Sequence, residues 1–244
     1  MKDDFKNIIS TDWLEQHLEA PDIRIIDSSW YFPQEKRNAE QEFLECHIPG
    51  ASFFDIDKIK DNDSDLPHML PPSAMFNSTV RKLGIGDGHK VVIYDGLGMR
   101  SAARLWWMFK VFGYSDVVVL DGGFPKWVKE NRSTTAEITE KEIRHLTIYE
   151  DKSIVADRDD VIRATKLNHC SIIDARSEGR FMGTAPEPRS GLRSGSIENS
   201  INVPYETLLN EDFTFKSKRE LIDIFSNKGV VFNNKTATKC GNKC

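Results

Sequence analysis

Val91-Val92-Ile93-Tyr94-Asp95-Gly96 is a run of β-branched and aromatic residues that stops at an acid and a glycine. A short apolar run bounded by turn residues is typical of a buried strand. Residues 100–112 are rich in good helix formers, and Gly113 can end that helix. A second apolar run, Val117-Val118-Val119-Leu120, stops in the same way at Asp121. Strand, helix and strand in this order predict an α/β protein with a largely parallel sheet.

The same alternation continues on both sides of this segment. Towards the N-terminus, residues 23–26 predict a strand that ends at Asp27, and residues 73–83 predict a helix that Gly84 stops. Towards the C-terminus, residues 129–153 are polar and weakly periodic, which predicts a linker. The apolar pattern then resumes and predicts another strand that ends at Asp174.

The two halves of the chain resemble each other. The strand-end residues Asp27 and Asp174 lie about 147 residues apart, and the pairs 47–51 with 196–200 and Lys90 with Lys235 have nearly the same spacing. A duplication with so long a period predicts two similar domains rather than a solenoid. We therefore expect domains at residues 1–132 and 157–244, each a mostly parallel sheet flanked by helices, joined by a linker at 133–156.

The duplication also nominates a reactive residue. In open parallel sheets, ligands gather where the strands end at their carboxyl edge. The loop that begins at Asp95 should have its counterpart near residue 240, where the sequence reads Cys240-Gly241. Backbone N–H groups and the positive end of a following helix favour a thiolate, which is the nucleophilic form of cysteine. Cys240 is therefore the candidate nucleophile, and Asp95 is its non-catalytic counterpart.

Composition excludes several classes of protein. Hydrophobic residues make up 39% and charged residues 29% of the chain, and the net charge is −5, so no global basic field would attract nucleic acid or anionic lipid. No apolar run reaches the roughly 18 residues that a membrane helix needs. Residues 1–6 include acids and lack the apolar core of a secretory signal, so we expect a cytoplasmic location.

The four cysteines are too few for a disulfide scaffold in a chain of this length. Cys46 and Cys170 adjoin apolar segments, and we expect them to be buried core thiols. Cys240 and Cys244 form a lone pair without the further ligands that zinc requires. We therefore expect no metal and no cofactor.

Several separated motifs resemble one known family. These are the segments 43–51, 121–127, 174–176, 180–183 and 186–189. They resemble the tandem-domain rhodanese-type sulfurtransferases, in register over nearly the whole chain. The last three segments, together with Cys240-Gly241, resemble the mercaptopyruvate branch of that family.

The resemblance implies two rhodanese-like domains in tandem, with the active site in the second. It implies that Cys240 takes sulfane sulfur from a small-molecule donor as a persulfide. The acceptor would be a thiol, such as thioredoxin or glutathione, or cyanide. Arg180 and Arg189 match the donor-binding arginines of the family, and a guanidinium suits the carboxylate of 3-mercaptopyruvate. The resemblance also implies that Gly241 belongs to the loop that binds the donor.

The resemblance also implies a proton relay of Asp, His and Ser beside the cysteine. Asp57 and His68 match its first two members. The serine should lie two residues after the nucleophile, where this chain has Asn242.

The sequence departs from the family pattern near its end. Residues 235–239 are polar where an apolar strand is expected, and four residues follow Cys240, so we expect the second domain to lack a helix, a strand and the closing segment. Without that helix, Cys240 would lose much of the stabilisation of its thiolate. A truncated gene product would explain this pattern.

Two other functions stay open from the residues. The chain could be a catalytically inactive rhodanese-like binding or regulatory module, since its first half already carries Asp95 at the nucleophile position. A phosphatase of related architecture would need an arginine six residues after its cysteine. The chain ends before that position, so we disfavour this class.

Overall fold

A computed structural model describes residues 6–167, 170–189, 191–232 and 235–239. These residues form two compact units. The first unit contains the residues up to Asp151 together with Asp212–Thr214. The second contains Lys152–Glu211 and the described residues from Phe215 onwards. No described helix has both the length and the apolar composition needed to cross a membrane.

The first unit is built on a parallel sheet with helices between its strands. In chain order its elements are β1 (Ile8–Ile9), α1 (Thr11–Gln16), β2 (Ile23–Asp27), α2 (Ala39–Glu45), β3 (Ser52–Phe53), α3 (Ser73–Lys82), β4 (Lys90–Tyr94), α4 (Ala102–Val111), β5 (Val117–Leu120) and α5 (Gly123–Lys129). The described strands of this sheet follow the order β1-β5-β4-β2-β3, and every pairing is parallel. The strands predicted at 23–26, 91–94 and 117–120 are confirmed, and the predicted helices are confirmed to within two residues at their ends.

Burial explains why the central strands lack an alternating pattern. All four residues of β5 and the last four of β4 are buried, because helices cover both faces of a parallel sheet. Trp127 on α5 is completely buried and donates its Nε1–H to the carbonyl of Ser133 at 2.8 Å. Its indole therefore contributes apolar area to the core without an unsatisfied donor.

The segment predicted as a linker belongs to the first unit as far as Asp151. His47 and Thr135 form an isolated antiparallel bridge, and the Thr147 N–H donates to Asp87 at 2.9 Å. His47 is completely buried, and its Nδ1 lies 2.6 Å from the carbonyl of Phe43. These contacts give hydrogen-bond partners to polar groups of a segment whose sequence is weakly periodic. The domain boundaries drawn from the sequence stay a prediction.

The second unit contains a smaller parallel sheet. Its elements are α6 (Arg158–Leu167), β6 (Cys170–Asp174), α7 (Glu178–Met182), β7 (Ser200–Asn202), α8 (Lys218–Asn227) and β8 (Lys235–Lys239). Short 3₁₀ helices are described in both units. Pro33–Glu35 lies in the first unit, and Lys152–Ile154 and Tyr205–Leu208 lie in the second. The described strands follow the order β7-β6-β8. The core of this unit is small and is centred on Ile173, Val203 and Val230.

The two sheets share a local topology and register. The order β7-β6-β8 corresponds to β3-β2-β4 in the first unit, with parallel pairing throughout. Asp27 at the end of β2 pairs with Tyr94 at the end of β4, and Asp174 at the end of β6 pairs with Lys239 at the end of β8. The polar segment 235–239 therefore forms the strand that the duplication predicts. By sequence, Cys240 follows β8 as Asp95 follows β4.

Candidate active site

A loop at the carboxyl edge of the first sheet has backbone N–H groups that donate to a side chain of the protein. Asp95 is completely buried, and its Oδ1 accepts the N–H of Leu97 at 2.9 Å. Its Oδ2 accepts the N–H groups of Arg100 at 2.7 Å and Ala102 at 2.8 Å. The first turns of a helix leave N–H groups without intrahelical partners, which makes them a natural site for an anion. In the first unit the carboxylate of Asp95 occupies this anion site.

Asp27 lies beside this loop and is also buried. Burial raises the pKa of the Asp27 carboxyl to about 6, although its Oδ1 accepts the N–H of Ser29 at 2.8 Å. A cavity of about 220 Å³ lies next to it, lined among others by Tyr31, Phe43 and Cys46. The prediction that Cys46 is a buried core thiol is wrong, because its side chain is exposed, and Cys170 is only partly buried. Both lie near short apolar segments in the sequence, but Cys46 lies just beyond the end of α2, outside the core.

Asp57 and His68 form a pair in the connection between β3 and α3. His68 Nε2 lies 2.6 Å from Asp57 Oδ1. Trp30 Nε1 donates to the other oxygen, Asp57 Oδ2, at 2.9 Å. The hydrogen bond with His68 lowers the pKa of the Asp57 carboxyl, and the bond from Trp30 acts in the same direction. Asp57 is therefore ionised at neutral pH.

An ionised Asp57 determines which imidazole nitrogen carries the proton. A carboxylate can only accept, so Nε2 of His68 must be the donor in this pair. The backbone of His68 has φ of 56°, an uncommon value for a non-glycine residue, and its carbonyl accepts Arg104 Nη2 at 2.5 Å. Its ring also meets the ring of Trp30 edge-on, with centroids 4.9 Å apart. Several contacts thus fix the orientation of this imidazole.

Arg176 and Asp174 form a buried ion pair at the carboxyl end of β6. Arg176 Nη2 lies 2.6 Å from Asp174 Oδ2, and Arg176 Nε lies 3.0 Å from Asp174 Oδ1. Arg176 Nη2 also donates to the carbonyl of Gly195 at 2.8 Å. The strand end is thereby joined to the irregular segment that precedes β7.

Arg180 on α7 belongs to the same group of charges. Its Nη2 and Nε lie 2.7 Å and 3.1 Å from Oε2 of Glu187. The other carboxylate oxygen, Glu187 Oε1, accepts Arg176 Nη1 at 2.7 Å. Arg189 is partly buried two residues further on. The segment therefore brings guanidinium groups to one region of the second unit, as recognition of a carboxylate requires.

The predicted nucleophile and its loop lie outside the described residues. This applies to Cys240, Gly241 and Asn242. The structure thus brings Asp57 together with His68 in the first unit, and it places Arg180 beside Glu187 in the second. The catalytic and binding roles of all these residues stay predictions. Among the described residues, no group of three His, Cys, Asp or Glu side chains is arranged to hold a metal ion.

Sequence reasoning missed two partners of the candidate residues. Glu187 lies in the segment 186–189, whose resemblance to the family assigns a role to Arg189 alone, so its ion pairs with Arg176 and Arg180 are known only from the structure. Trp30 carries no local signal, because it lies 27 positions before Asp57 and meets it only through the fold.

Comparison with known proteins identifies the family. A model of the rhodanese-like domain matches residues 10–130. The 3-mercaptopyruvate sulfurtransferase of Rattus norvegicus is 37% identical in an alignment that covers 97% of this chain and 82% of that protein. The chain belongs to the rhodanese family of sulfurtransferases. The resemblance drawn from the sequence motifs is thereby confirmed.

Two further relatives place this rhodanese more closely. The thiosulfate sulfurtransferase of Rattus norvegicus is 39% identical over 97% of the chain and 82% of that protein. A crystal structure of SseA from Escherichia coli, described as a 3-mercaptopyruvate sulfotransferase with the rhodanese fold, matches with a TM-score of 0.87 and 36% identity. The match covers 96% of this chain and 88% of SseA. The predicted α/β fold, with parallel sheets flanked by helices, is confirmed.

Proposed function

We propose that this rhodanese transfers sulfane sulfur from 3-mercaptopyruvate, with thiosulfate as an alternative donor, through a persulfide on Cys240. The acceptor would be a thiol, such as thioredoxin or glutathione, or cyanide. One observation carries the assignment of the nucleophile. Because β8 pairs with β6 in the register in which β4 pairs with β2, Cys240 follows its strand at the position of Asp95 in the first unit. The names of the relatives support the reaction.

The proposed chemistry has two half-reactions. In the first, the thiolate of Cys240 attacks the sulfur atom of 3-mercaptopyruvate, an S–S bond forms, and the C–S bond of the donor breaks. The electrons of the C–S bond pass to the carbon skeleton as the enolate of pyruvate, which then takes a proton. In the second, an acceptor thiolate or cyanide attacks the outer sulfur atom. The S–S bond breaks and its electrons restore the thiolate of Cys240.

This chemistry needs residues that bind the donor and residues that move a proton. Arg180 and Arg189 would bind the donor carboxylate, because guanidinium groups bind planar anions through charge-assisted hydrogen bonds. Asp57 and His68 would move a proton, because the carboxylate lies 2.6 Å from the imidazole and orients it, and histidine is the side chain that most often acts as a general acid or base. Gly241 would contribute its backbone N–H to the donor loop.

The domain roles are part of the same proposal. Residues 1–132 would form the non-catalytic copy of a tandem repeat, 133–156 the connection, and 157–244 the catalytic copy. The contacts of Asp95 support a non-catalytic first unit, because its carboxyl already uses the donors that would stabilise a thiolate. The free thiols of Cys46 and Cys170 are usual in a reducing compartment, which supports a cytoplasmic location. Subcellular fractionation would test the location.

Intact-mass spectrometry tests the reaction directly. The purified chain is mixed with 3-mercaptopyruvate without acceptor, and we expect one added sulfur atom together with release of pyruvate. Peptide mapping should place the sulfur on Cys240, and Cys240→Ser should abolish the addition. Cys46→Ser is the matched control, because Cys46 is an exposed thiol that could collect sulfur non-specifically. If the wild-type chain gains no sulfur and releases no pyruvate, the proposed activity is wrong, and an inactive binding module would be the better description.

A further inference from the structure

Glu187 is a buried carboxylate shared between two arginines. Its side chain is only 2% exposed. Burial of a lone ionised carboxylate is strongly unfavourable, so such a group needs cationic partners. Here Oε1 faces Arg176 and Oε2 faces Arg180, at 2.7 Å in each case. We call Asp174, Arg176, Arg180 and Glu187 the Glu187 cluster.

One side of the Glu187 cluster is anchored to the sheet. Arg176 is 3% exposed, and its guanidinium is held by both oxygens of Asp174, which is completely buried at the end of β6. The hydrogen bond with Asp174 raises the pKa of the Arg176 guanidinium, so this guanidinium stays charged. Glu187 is therefore tied to a fixed point of the fold through Arg176.

The other side of the cluster carries a residue that is more accessible. Arg180 is 17% exposed, and it belongs to α7, which has five residues. A free arginine side chain samples many rotamers, and their loss opposes ligand binding. Glu187 contacts both Nε and Nη2 of Arg180, so it fixes the plane of the guanidinium before a ligand arrives. Such preorganisation reduces the entropy that is lost on binding.

The charge of the cluster is balanced as a whole. Two carboxyl groups face two guanidinium groups, and Glu187 divides its interactions between Arg176 and Arg180. Arg180 is thus oriented by Glu187, which also pairs with Arg176. We propose that Glu187 is a positioning residue that holds Arg180 in the orientation in which it binds the anionic group of the sulfur donor. This inference rests on the proposed function.

The proposal predicts a particular kinetic pattern. Glu187 acts through Arg180 and touches no reacting atom, so its loss should weaken donor binding more than the chemical step. For Glu187→Gln we expect the KM for 3-mercaptopyruvate to rise roughly tenfold, which corresponds to the loss of one charge-assisted hydrogen bond, with kcat changed less than about threefold. The control is Glu206→Gln, which makes the same chemical change at an exposed position of the second unit and should leave both constants unchanged.

A spectroscopic readout separates this proposal from the proposed function. The ¹⁵N resonance of Arg180 Nε, assigned by its disappearance in Arg180→Lys, is recorded on the full chain without donor. In the wild type we expect its proton to exchange slowly with water, and in Glu187→Gln we expect fast exchange. Because no donor is present, this measurement reports on positioning even if the chain transfers no sulfur. A protected Nε–H in Glu187→Gln, or an unchanged KM, would overturn the role of Glu187.

A second variant keeps the test decisive if Glu187→Gln does not fold. Glu187→Asp retains the charge and shortens the side chain by one methylene, so it cannot span Arg176 and Arg180 at the observed distances. We expect a folded protein by circular dichroism, a KM raised roughly threefold, and partial loss of protection at Arg180 Nε. A folded Glu187→Asp chain with wild-type KM and full protection would contradict the proposal.

Discussion

Asp95 accepts a hydrogen bond from the backbone N–H of Ala102 at 2.8 Å, so the residue that follows β4 caps the first N–H of helix α4. The N–H groups of Leu97 and Arg100 point to the same carboxyl. In the second unit the corresponding position in sequence is Cys240. The residue after the corresponding strand is thus an acid in the first unit and, by sequence, a cysteine in the second. In the first unit the loop is satisfied internally, which makes its contribution one of stability.

Replacement of Asp95 should therefore destabilise the first unit. Asp95→Ala leaves the N–H groups of Leu97, Arg100 and Ala102 without their acceptor in a partly buried loop, and we expect the free energy of unfolding to fall by about 3 kcal/mol. Asp95→Asn retains one acceptor oxygen and should cost about 1 kcal/mol. Urea unfolding followed by circular dichroism measures both. Equal unfolding midpoints for the wild type and Asp95→Ala would contradict this account of the loop.

Asp27 should make stability depend on pH. Because burial raises its pKa to about 6 from 3.8, the folded state binds a proton between these pH values and the unfolded state does not. The contribution of Asp27 to stability is thus lost as the pH rises through this window, by about 3 kcal/mol in all. Asp27→Asn removes the titration, so the variant should be more stable than the wild type at pH 7 and similar to it below pH 4.

The comparison requires a control for the other carboxylates. Asp65→Asn changes an exposed aspartate of the first unit and should leave the difference from the wild type constant across this range. Unfolding midpoints in urea are measured for the three proteins from pH 4 to pH 8. If Asp27→Asn is less stable than the wild type at pH 7, the hydrogen bonds to the ionised Asp27 carboxylate outweigh the cost of its burial, and this prediction is wrong.

The pair of Asp57 and His68 should affect turnover more than donor binding. If His68 moves a proton, His68→Gln removes that function, and Asp57→Asn removes the carboxylate that orients the imidazole. We expect kcat to fall roughly tenfold to a hundredfold in the first variant and somewhat less in the second. Steady-state release of pyruvate measures this, with His145→Gln as the control, since the side chain of His145 is 82% exposed. A changed KM with unchanged kcat would assign the pair to binding instead.

The sequence predicts the fold well because its signals are local. The apolar runs at 91–94 and 117–120 form the buried strands β4 and β5, and the helix between them begins and ends close to the expected residues. Segment 235–239 forms β8 although its residues are polar. Pairing with β6 in the duplicated register outweighs its weak intrinsic preference, as tertiary context commonly does in strands.

The site was less predictable because its contacts are not local. The contact between Asp57 and His68 depends on the course of an irregular segment, and Trp30 and Arg104 reach this pair from other elements. The exposure of Cys46 shows the same limit, since a nearby apolar segment in the sequence does not place a residue in the core.

Replacement of either candidate donor-binding arginine should raise the KM more than replacement of a neighbouring arginine. Arg180→Lys retains a positive charge but cannot contact Glu187 through both Nε and Nη2 or present a planar fork to a carboxylate. We expect the KM for 3-mercaptopyruvate to rise roughly tenfold in Arg180→Lys and in Arg189→Lys, because each loses a charge-assisted hydrogen bond to the donor. Arg193→Lys is the matched control, since Arg193 is exposed in the same irregular segment, and its KM should stay within about twofold of the wild type. Initial rates of pyruvate release over a range of donor concentrations measure all three variants. A similar increase in KM for Arg193→Lys would indicate that the whole segment attracts the anion through its net charge, and the specific roles of Arg180 and Arg189 would then be wrong.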